Sequence, residues 1–529
     1  MNMSTHKGFL KSAGIIGFAT FCSRILGFIR DVVIARLFGV YVYAQAFVIA
    51  FKIPNLFRDF VGEGAANAAF VPVFSEYAQK HSKEEFWELA GVVLNLLLVI
   101  LSVITILGVV FSPLIVRLIA PGFVSDPYKL ATTIELNRII FPYVLLICLA
   151  AYATAVLNSL KHFSVPAFAP CLLNISIITF ALVFGEGTKG LALGILVGGL
   201  LQLGVQVPVL YRKGFRLKLF QGFRHPAAAL IGKLMLPRLL SSCIYQLNNF
   251  VDSIFGSLFW IVGEGGVAGL YFAYRLILFP LGIFSNSLSQ AMLPTLSRQA
   301  VDNQHEKLKH SLSFGLCATL LVILPASVAF MVLSERIIST IFQGGRFDAY
   351  STEMTTKVLF FYSIGLVAYA VTRILQSCFF ALKDTVIPAK VAFLNLVLNI
   401  ILNLMLMRPL KISGIALATS LSGIISCAVL FVLLKKKIAP FDSGAIYACF
   451  LRILPASLAM GVVCYLVSRG HPAPADKNML IQFIDLGLII AVGLASYIGF
   501  CVLFRVKEIS QLWKWISKKD KDIGQLSNE

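Results

Sequence analysis

The chain has 529 residues, 58% of them hydrophobic and only 13% charged, with a formal net charge of +20 at pH 7. Soluble domains carry about 25% charged residues, so the composition excludes a soluble globular protein and predicts a polytopic membrane protein. A basic excess of this size would point to nucleic acid in a soluble chain; here it is distributed by loop, and neither nucleic acid nor nucleotide is an expected partner.

Runs of about 20 apolar residues, enough to cross a bilayer as a helix, recur from end to end. They lie near 9–37, 40–61, 87–113, 132–158, 166–185, 190–211, 233–260, 266–296, 312–333, 355–381, 387–408, 413–434, 446–467 and 480–504, which predicts fourteen transmembrane helices. The first holds Arg24 and Arg30 and is too long and too charged for a cleavable signal peptide. On a helical wheel Thr20, Ser23, Arg24, Gly27, Arg30 and Asp31 fall within an arc of about 120°. Phe21, Cys22, Ile25, Leu26, Phe28, Ile29, Val32 and Val33 lie opposite. One face suits lipid or packing, the other water and anions. A second cluster, Lys52-Ile53-Pro54-Asn55-Leu56-Phe57-Arg58-Asp59 followed by Glu63, closes the second span. An arginine at the bilayer centre costs roughly 2.5–3.5 kcal/mol on insertion scales and is kept where it lines a wet cavity or a substrate path. A lone arginine near a helix end can snorkel to the interface instead, but snorkelling does not call for three of them with a shared polar arc.

The loops carry the topology. Arg212, Lys213, Arg216, Lys218 and Arg224 follow the sixth helix without an acid, Lys435-Lys436-Lys437 follow the twelfth, and the C-terminal stretch holds Lys507, Lys514, Lys518, Lys519 and Lys521. Alternate connections are sparse or mixed, as at Glu186 with Lys189 and at Glu264. The positive-inside rule then predicts that both termini face the cytoplasm. The ten cysteines fall in or beside the spans without CxxC spacing and read as small apolar residues, not as a disulfide framework or metal site. There is no GxxxxGK[ST] phosphate loop. An enzyme acting on lipid-linked sugars would need paired carboxylates or a histidine near the membrane surface. The acids here are interspersed with arginines, and no enzymatic activity is expected.

The chain also repeats itself. Pro72-Val73-Phe74-Ser75-Glu76-Tyr77-Ala78 aligns with Pro294-Thr295-Leu296-Ser297-Arg298-Gln299-Ala300, Leu160-Lys161 with Leu382-Lys383, and Pro166 with Pro388, all at an offset of 222 residues. Gly190-Leu191-Ala192-Leu193 aligns with Gly414-Ile415-Ala416-Leu417 two residues further on. The expected architecture is therefore all-α: two six-helix lobes related by a parallel internal repeat, plus two extra C-terminal helices. The boundaries are 1–218 for the N-lobe, 219–437 for the C-lobe, 438–506 for helices 13 and 14, and 507–529 for a basic tail. Parallel repeats of this kind build transporters with the substrate site between the halves. Arg275 is the counterpart of Lys52 with a one-residue slip, and is expected to face the same central space. Pro280 and Gly282 in its helix, like Pro54, allow a bend.

A second constellation lies in later helices. Asn395, Asn399 and Asn403 share one face of helix 11, with Asp252 in helix 7 and Thr419 in helix 12. Oxygen ligands from three helices would hold a small cation such as Na+; interhelical hydrogen bonding is the alternative role of intramembrane asparagines.

Ser23-Arg24-x-x-Gly27-x-x-Arg30-Asp31, Ala50-Phe51-Lys52-Ile53-Pro54-Asn55-Leu56-Phe57-Arg58, Glu63-Gly64-Ala65 and Ala69-Phe70-Val71-Pro72 resemble the MurJ (MviN) family. Pro121-Gly122-Phe123, Phe141-Pro142-Tyr143, Pro166-Ala167-Phe168-Ala169-Pro170 and Tyr271-Phe272-Ala273-Tyr274-Arg275-Leu276 extend the resemblance along nearly the whole chain. It implies membership of the multidrug/oligosaccharidyl-lipid/polysaccharide exporter superfamily. It further implies fourteen helices in two lobes, with helices 13 and 14 forming a groove for a lipid tail. The implied activity is flipping of lipid II, the undecaprenyl-diphosphate-linked peptidoglycan precursor, across the bacterial cytoplasmic membrane. The family's essential cavity arginines correspond to Arg24, Arg30, Arg58 and Arg275. With Ser23, Asp31, Lys52 and Glu63 beside them in the sequence, they form the expected substrate-binding set. Sodium bound in the second lobe of some members maps onto Asp252, Asn399, Asn403 and Thr419. The chain departs from the family at Gln45, Tyr274 and Leu278, where acids or polar residues are common, which implies a more positive cavity.

The expectation is a monomeric lipid II flippase working by alternating access, with lipid II and membrane lipids as partners and no required cofactor. Na+ or the membrane potential would supply the drive. An inside-negative potential favours outward movement of an anion by about 2.3 kcal/mol per charge per 100 mV. The alternative cargo is another polyprenyl-diphosphate-linked oligosaccharide. Arginine suits either, because its planar fork meets phosphate oxygens at two points.

Overall fold

The computed structural model describes residues 3–59, 69–185, 187–217, 222, 225–302, 304–438, 443–471 and 479–506. Among the described residues every regular element is helical, apart from one β-bridge between Gly344 and Phe347. The chain divides into two compact units, Met1–Ala268 with Gly344–Asp348, and Gly269–Gln343 with Ala349–Glu529.

The first unit begins with α1 (Met3–Phe38), α2 (Val42–Arg58), α3 (Val71–Lys80) and α4 (Lys83–Val110). There follow α5 (Ser112–Ile119), a 3-10 turn at Pro121–Ser125, α6 (Pro127–Ile140), α7 (Tyr143–Ser159) and α8 (Ser164–Phe184). It continues through α9 (Thr188–Gly204), α10 (Val207–Arg212), α11 (Pro226–Gly256) and α12 (Phe259–Val262). The second unit holds α13 (Gly266–Pro280), whose first turn lies at the boundary, then α14 (Asn286–Val301), α15 (His305–Val332) and α16 (Ser334–Phe342). It ends with α17 (Ala349–Ala381), α18 (Val386–Leu410), α19 (Ile412–Lys437), α20 (Ser443–Gly470) and α21 (Met479–Leu503). The lobe boundary expected at 218/219 follows the repeat; the units follow packing, and α11 packs on α4 and α5.

Among the described residues eleven helical stretches are long and apolar enough to cross a membrane, and they coincide with the third to sixth and eighth to fourteenth expected spans. The other three, near 9–37, 40–61 and 233–260, are helical as α1, α2 and α11 but are not among the eleven. Helix α2 has only 17 residues, fewer than a span of ordinary length, α1 carries charge along its length, and α11 is described in full only outside residues 236–245.

Close helix packing rests on glycine at two crossings, one in each unit. A Cβ at Gly198 on α9 would lie 2.9 Å from the Leu173 Cα of α8, and one at Gly365 on α17 would lie 2.8 Å from the Ser420 Cα of α19. Small residues let backbones approach in this way inside membranes. At Pro280, where the sequence allows a bend, α13 ends and a π-helical turn, Leu281–Ser285, leads into α14. Proline removes a backbone donor and opens the ladder.

The repeat is visible in backbone detail. Helix α7 ends with Lys161 at φ 58°, and α17 ends with Lys383 at φ 57°. The amides of Lys161 and His162 donate to the Asn158 and Leu157 carbonyls; those of Lys383 and Asp384 donate to Phe380 and Phe379. Both are Schellman caps, a form that usually places glycine where these lysines stand.

The two C-terminal helices pack on the second unit, α20 against α15 and α21 against α16 and α20. Asp485, inside the apolar α21, accepts from Arg336 Nη2 of α16 at 2.5 Å, and the same nitrogen reaches the His471 carbonyl at 2.9 Å. The Tyr497 hydroxyl donates to the Leu321 carbonyl at 2.7 Å. Two polar ties thus dock a helix whose remaining face is apolar and exposed, as at Leu488, Leu494 and Val502.

Candidate functional site: the arginines of the first unit

The polar arc of α1 separates into two parts. Thr20 and Arg24 are exposed, as are Phe21, Ile25 and Ile29 on the apolar side. Arg30 and Asp31 are buried, at 6% and 2% exposure, where α1 packs on α8. A guanidinium taken out of water must have its donors met. Arg30 meets them with Nε and Nη2 on Asp31 Oδ1, at 3.0 and 2.8 Å, and Nη1 on Asn174 Oδ1, at 3.0 Å. Asn174 belongs to α8 and is itself fixed, its Nδ2 donating to the Ser23 and Pro170 carbonyls at 3.2 and 3.3 Å. Gly27 faces this amide, 3.7 Å from where its own Cβ would stand. Ser23 therefore contributes its backbone carbonyl to the site.

Arg58, at the end of α2, repeats the arrangement. Its Nε and Nη2 reach Asp59 Oδ1 at 3.3 and 3.0 Å, and Asp59 Oδ2 accepts from Gln246 Nε2 of α11 at 3.0 Å. Adjacent helical residues do not face each other, so each arginine must fold back to reach its neighbour. In both pairs one carboxylate oxygen is engaged by the fork of one guanidinium.

Lys52 is turned toward α11. Its Nζ donates to the Asn249 carbonyl and the Ser253 hydroxyl and lies 5.3 Å from the centre of the Phe250 ring. Asp252 on α11 acts on it electrostatically. The structure thus joins a residue expected to bind substrate with one expected to bind a cation. Glu63 lies outside the described residues.

Arg275 belongs to the second unit. Its Nη2 donates to the Tyr271 hydroxyl at 2.8 Å, and its guanidinium carbon stands 4.7 Å from the centre of that ring, a cation–π arrangement one helical turn apart. Asn399, Asn403 and Thr419 form a buried chain in the same unit. Asn403 Nδ2 donates to Asn399 Oδ1 at 2.9 Å, Asn399 Nδ2 to Thr419 Oγ1 at 3.0 Å, and Thr419 Oγ1 to the Ile415 carbonyl at 3.1 Å. Asn395 Oδ1 accepts from Ser426 at 3.1 Å. The asparagine face forms the interhelical bonds that were one of its two expected roles, and Asp252 is in the other unit, beside Lys52. Among the described residues no group of three or more His, Cys, Asp or Glu side chains is placed to hold a metal.

Sequence reasoning gave no role to Asn174, Gln246 or Tyr143. Tyr143, at the start of α7, has a buried hydroxyl without a hydrogen bond among the described residues, and Arg58 and Arg30 both act on it electrostatically. Lone amides in apolar or basic-flanked helices were the available signal for the first two. Gln45 is 1% exposed, and its Nε2 has no hydrogen bond among the described residues.

The fold is shared with multidrug transporters. An inward-facing MATE transporter of the MOP superfamily aligns with a TM-score of 0.64 at 16% identity, covering 78% of this chain and 94% of the other, a likeness of fold alone. The class is thus a multi-pass membrane protein with the fold seen in that transporter. A family model, lipid II flippase MurJ, matches residues 34–506. A probable lipid II flippase MurJ from Buchnera aphidicola subsp. Acyrthosiphon pisum (strain APS) is 35% identical over 463 residues, 87% of this chain and 90% of the relative. One from Bdellovibrio bacteriovorus is 30% identical over 513 residues, 96% and 97% of the two chains. A solved structure of lipid II flippase MurJ in an inward closed conformation aligns with a TM-score of 0.77 at 29% identity, covering 93% of this chain and 98% of that one. The chain belongs to the lipid II flippase MurJ family.

Proposed function

We propose that this protein flips lipid II from the inner to the outer leaflet of the bacterial cytoplasmic membrane by alternating access, as a transporter and not an enzyme. Both termini are on the cytoplasmic side. Family membership supports the cargo, and the paired Arg30–Asp31 and Arg58–Asp59 side chains support the mechanism. Each guanidinium is held by an adjacent carboxylate through its Nε–Nη2 edge. A diphosphate oxygen can replace that carboxylate with the same charge-assisted geometry. For Arg30, which is buried, exchange of one anion for another avoids leaving the cation unpaired, a costly state. Arg24, exposed on the same helix, and Arg275 of the second unit supply further contacts.

For the drive we propose the membrane potential or Na+. Asp252→Ala removes any sodium dependence of transport if Asp252 helps bind the ion; retained sodium dependence in that variant removes it from such a site. The cargo is tested by complementing a bacterial strain depleted of its lipid II flippase. Growth at normal cell shape is expected. Failure with normal membrane abundance and correct topology would contradict the lipid II reading and favour another polyprenyl-diphosphate cargo.

A further inference from the structure

Helices α5 and α6 border an open surface groove, a shallow concavity lined by Pro113, Arg117, Ala131, Glu135, Arg138 and neighbouring isoleucines. Its scaffold is fixed. Ser112, the first residue of α5, donates to the Gly108 carbonyl at 2.9 Å and accepts from Asn137 Nδ2 of α6 at 2.7 Å, all buried. Arg117 of α5 and Glu135 and Arg138 of α6 line this groove, and all three are exposed residues. Among the described residues neither arginine is in an ion pair, with Glu135 or with any other carboxylate. The surroundings are lipid-like surface: Val110, Phe111, Leu114 and Leu118 are each at least half exposed. Leu114, Arg117 and Leu118 share one face of α5 by their spacing. Arg138 lies within the apolar span Pro127–Ser159, where an arginine requires an anionic or polar partner.

We propose that this concavity is a binding site for the phosphate of an anionic membrane phospholipid, with Arg117 and Arg138 as its two ligands and Leu114 and Leu118 against the acyl chains. Two guanidiniums and one carboxylate leave a single positive charge, which a phosphodiester of charge minus one neutralises; a diphosphate would overfill it. The hydroxyls of a glycerol headgroup can donate to Glu135. The observation is independent of the arginines of α1 and α2, and the site holds a bulk lipid, not the transported cargo.

Native mass spectrometry of the full chain released from detergent, with phosphatidylglycerol or phosphatidylethanolamine added, tests this. The wild-type protein is expected to retain phosphatidylglycerol preferentially. Arg117→Gln with Arg138→Gln should lower that retention about tenfold, the loss of a charge-assisted hydrogen bond or more. Glu135→Gln, which keeps both ligands and removes the like charge, should raise it, and this arm stands if the double variant does not fold. Unchanged phosphatidylglycerol retention in the double variant, lowered retention in Glu135→Gln, or equal retention of the two lipids would overturn the proposal. Stabilisation of the wild type by inorganic phosphate to the same extent as by phosphatidylglycerol would also overturn it, by showing an anion site without lipid recognition.

Discussion

Arg30 differs from Arg24 in everything but chemistry. One is buried and held by Asp31 and Asn174, the other exposed on the same helix. Asn174→Ala leaves one buried guanidinium donor unmet, a loss of about 1–3 kcal/mol, and should lower the thermal stability of the purified protein. Asn174→Asp should do the opposite to stability while lowering transport, because a second carboxylate holds Arg30 against exchange with phosphate. Transport at the wild-type rate in Asn174→Asp would show that release of Arg30 is not part of the cycle. Arg30→Lys keeps the charge but loses the fork; partial rescue relative to Arg30→Ala is expected in a complementation series, and full rescue would reduce the site to a positive field.

At the scale of elements, the two Schellman caps make a paired prediction. A non-glycine residue in the left-handed region costs roughly 1–2 kcal/mol, and Lys161 and Lys383 both stand there. Lys161→Gly and Lys383→Gly should each raise the unfolding temperature in detergent without changing transport; a fall in either would mean that the lysine side chain supplies more than the backbone strain removes. Helix α21 offers a contrasting case. Asp485→Ala leaves Arg336 without its carboxylate, and breaking such a pair costs about 3–5 kcal/mol when fully buried. These side chains are 21% and 11% exposed, so a smaller loss is expected, read as a lower melting temperature. Unchanged stability would mean that apolar packing alone docks α21.

For the whole molecule, much was legible before any coordinates. Runs of apolar residues located the helices because a bilayer imposes one length on all of them, and the offset of 222 residues located the repeat because both copies end helices in the same way at Lys161 and Lys383. Partnerships were less legible. Arg30 and Asn174 are separated by 144 residues and Lys52 and Ser253 by 201, and no local periodicity encodes which polar residues of two helices meet. Lys52 read as a cavity cation from its neighbours in sequence; in the structure its Nζ donates to a carbonyl and a hydroxyl of α11, with Asp252 acting on it electrostatically. Arg336 and Asp485, separated by 149 residues, meet in the same way. The most direct test of the central claim is flipping of lipid II in proteoliposomes of purified protein, comparing the wild type with Arg24→Ala, Arg30→Ala, Arg58→Ala and Arg275→Ala at matched incorporation. The account predicts lipid II translocation by the wild type and at least a tenfold loss in each variant, about the worth of one charge-assisted contact; wild-type rates in all four variants would contradict it.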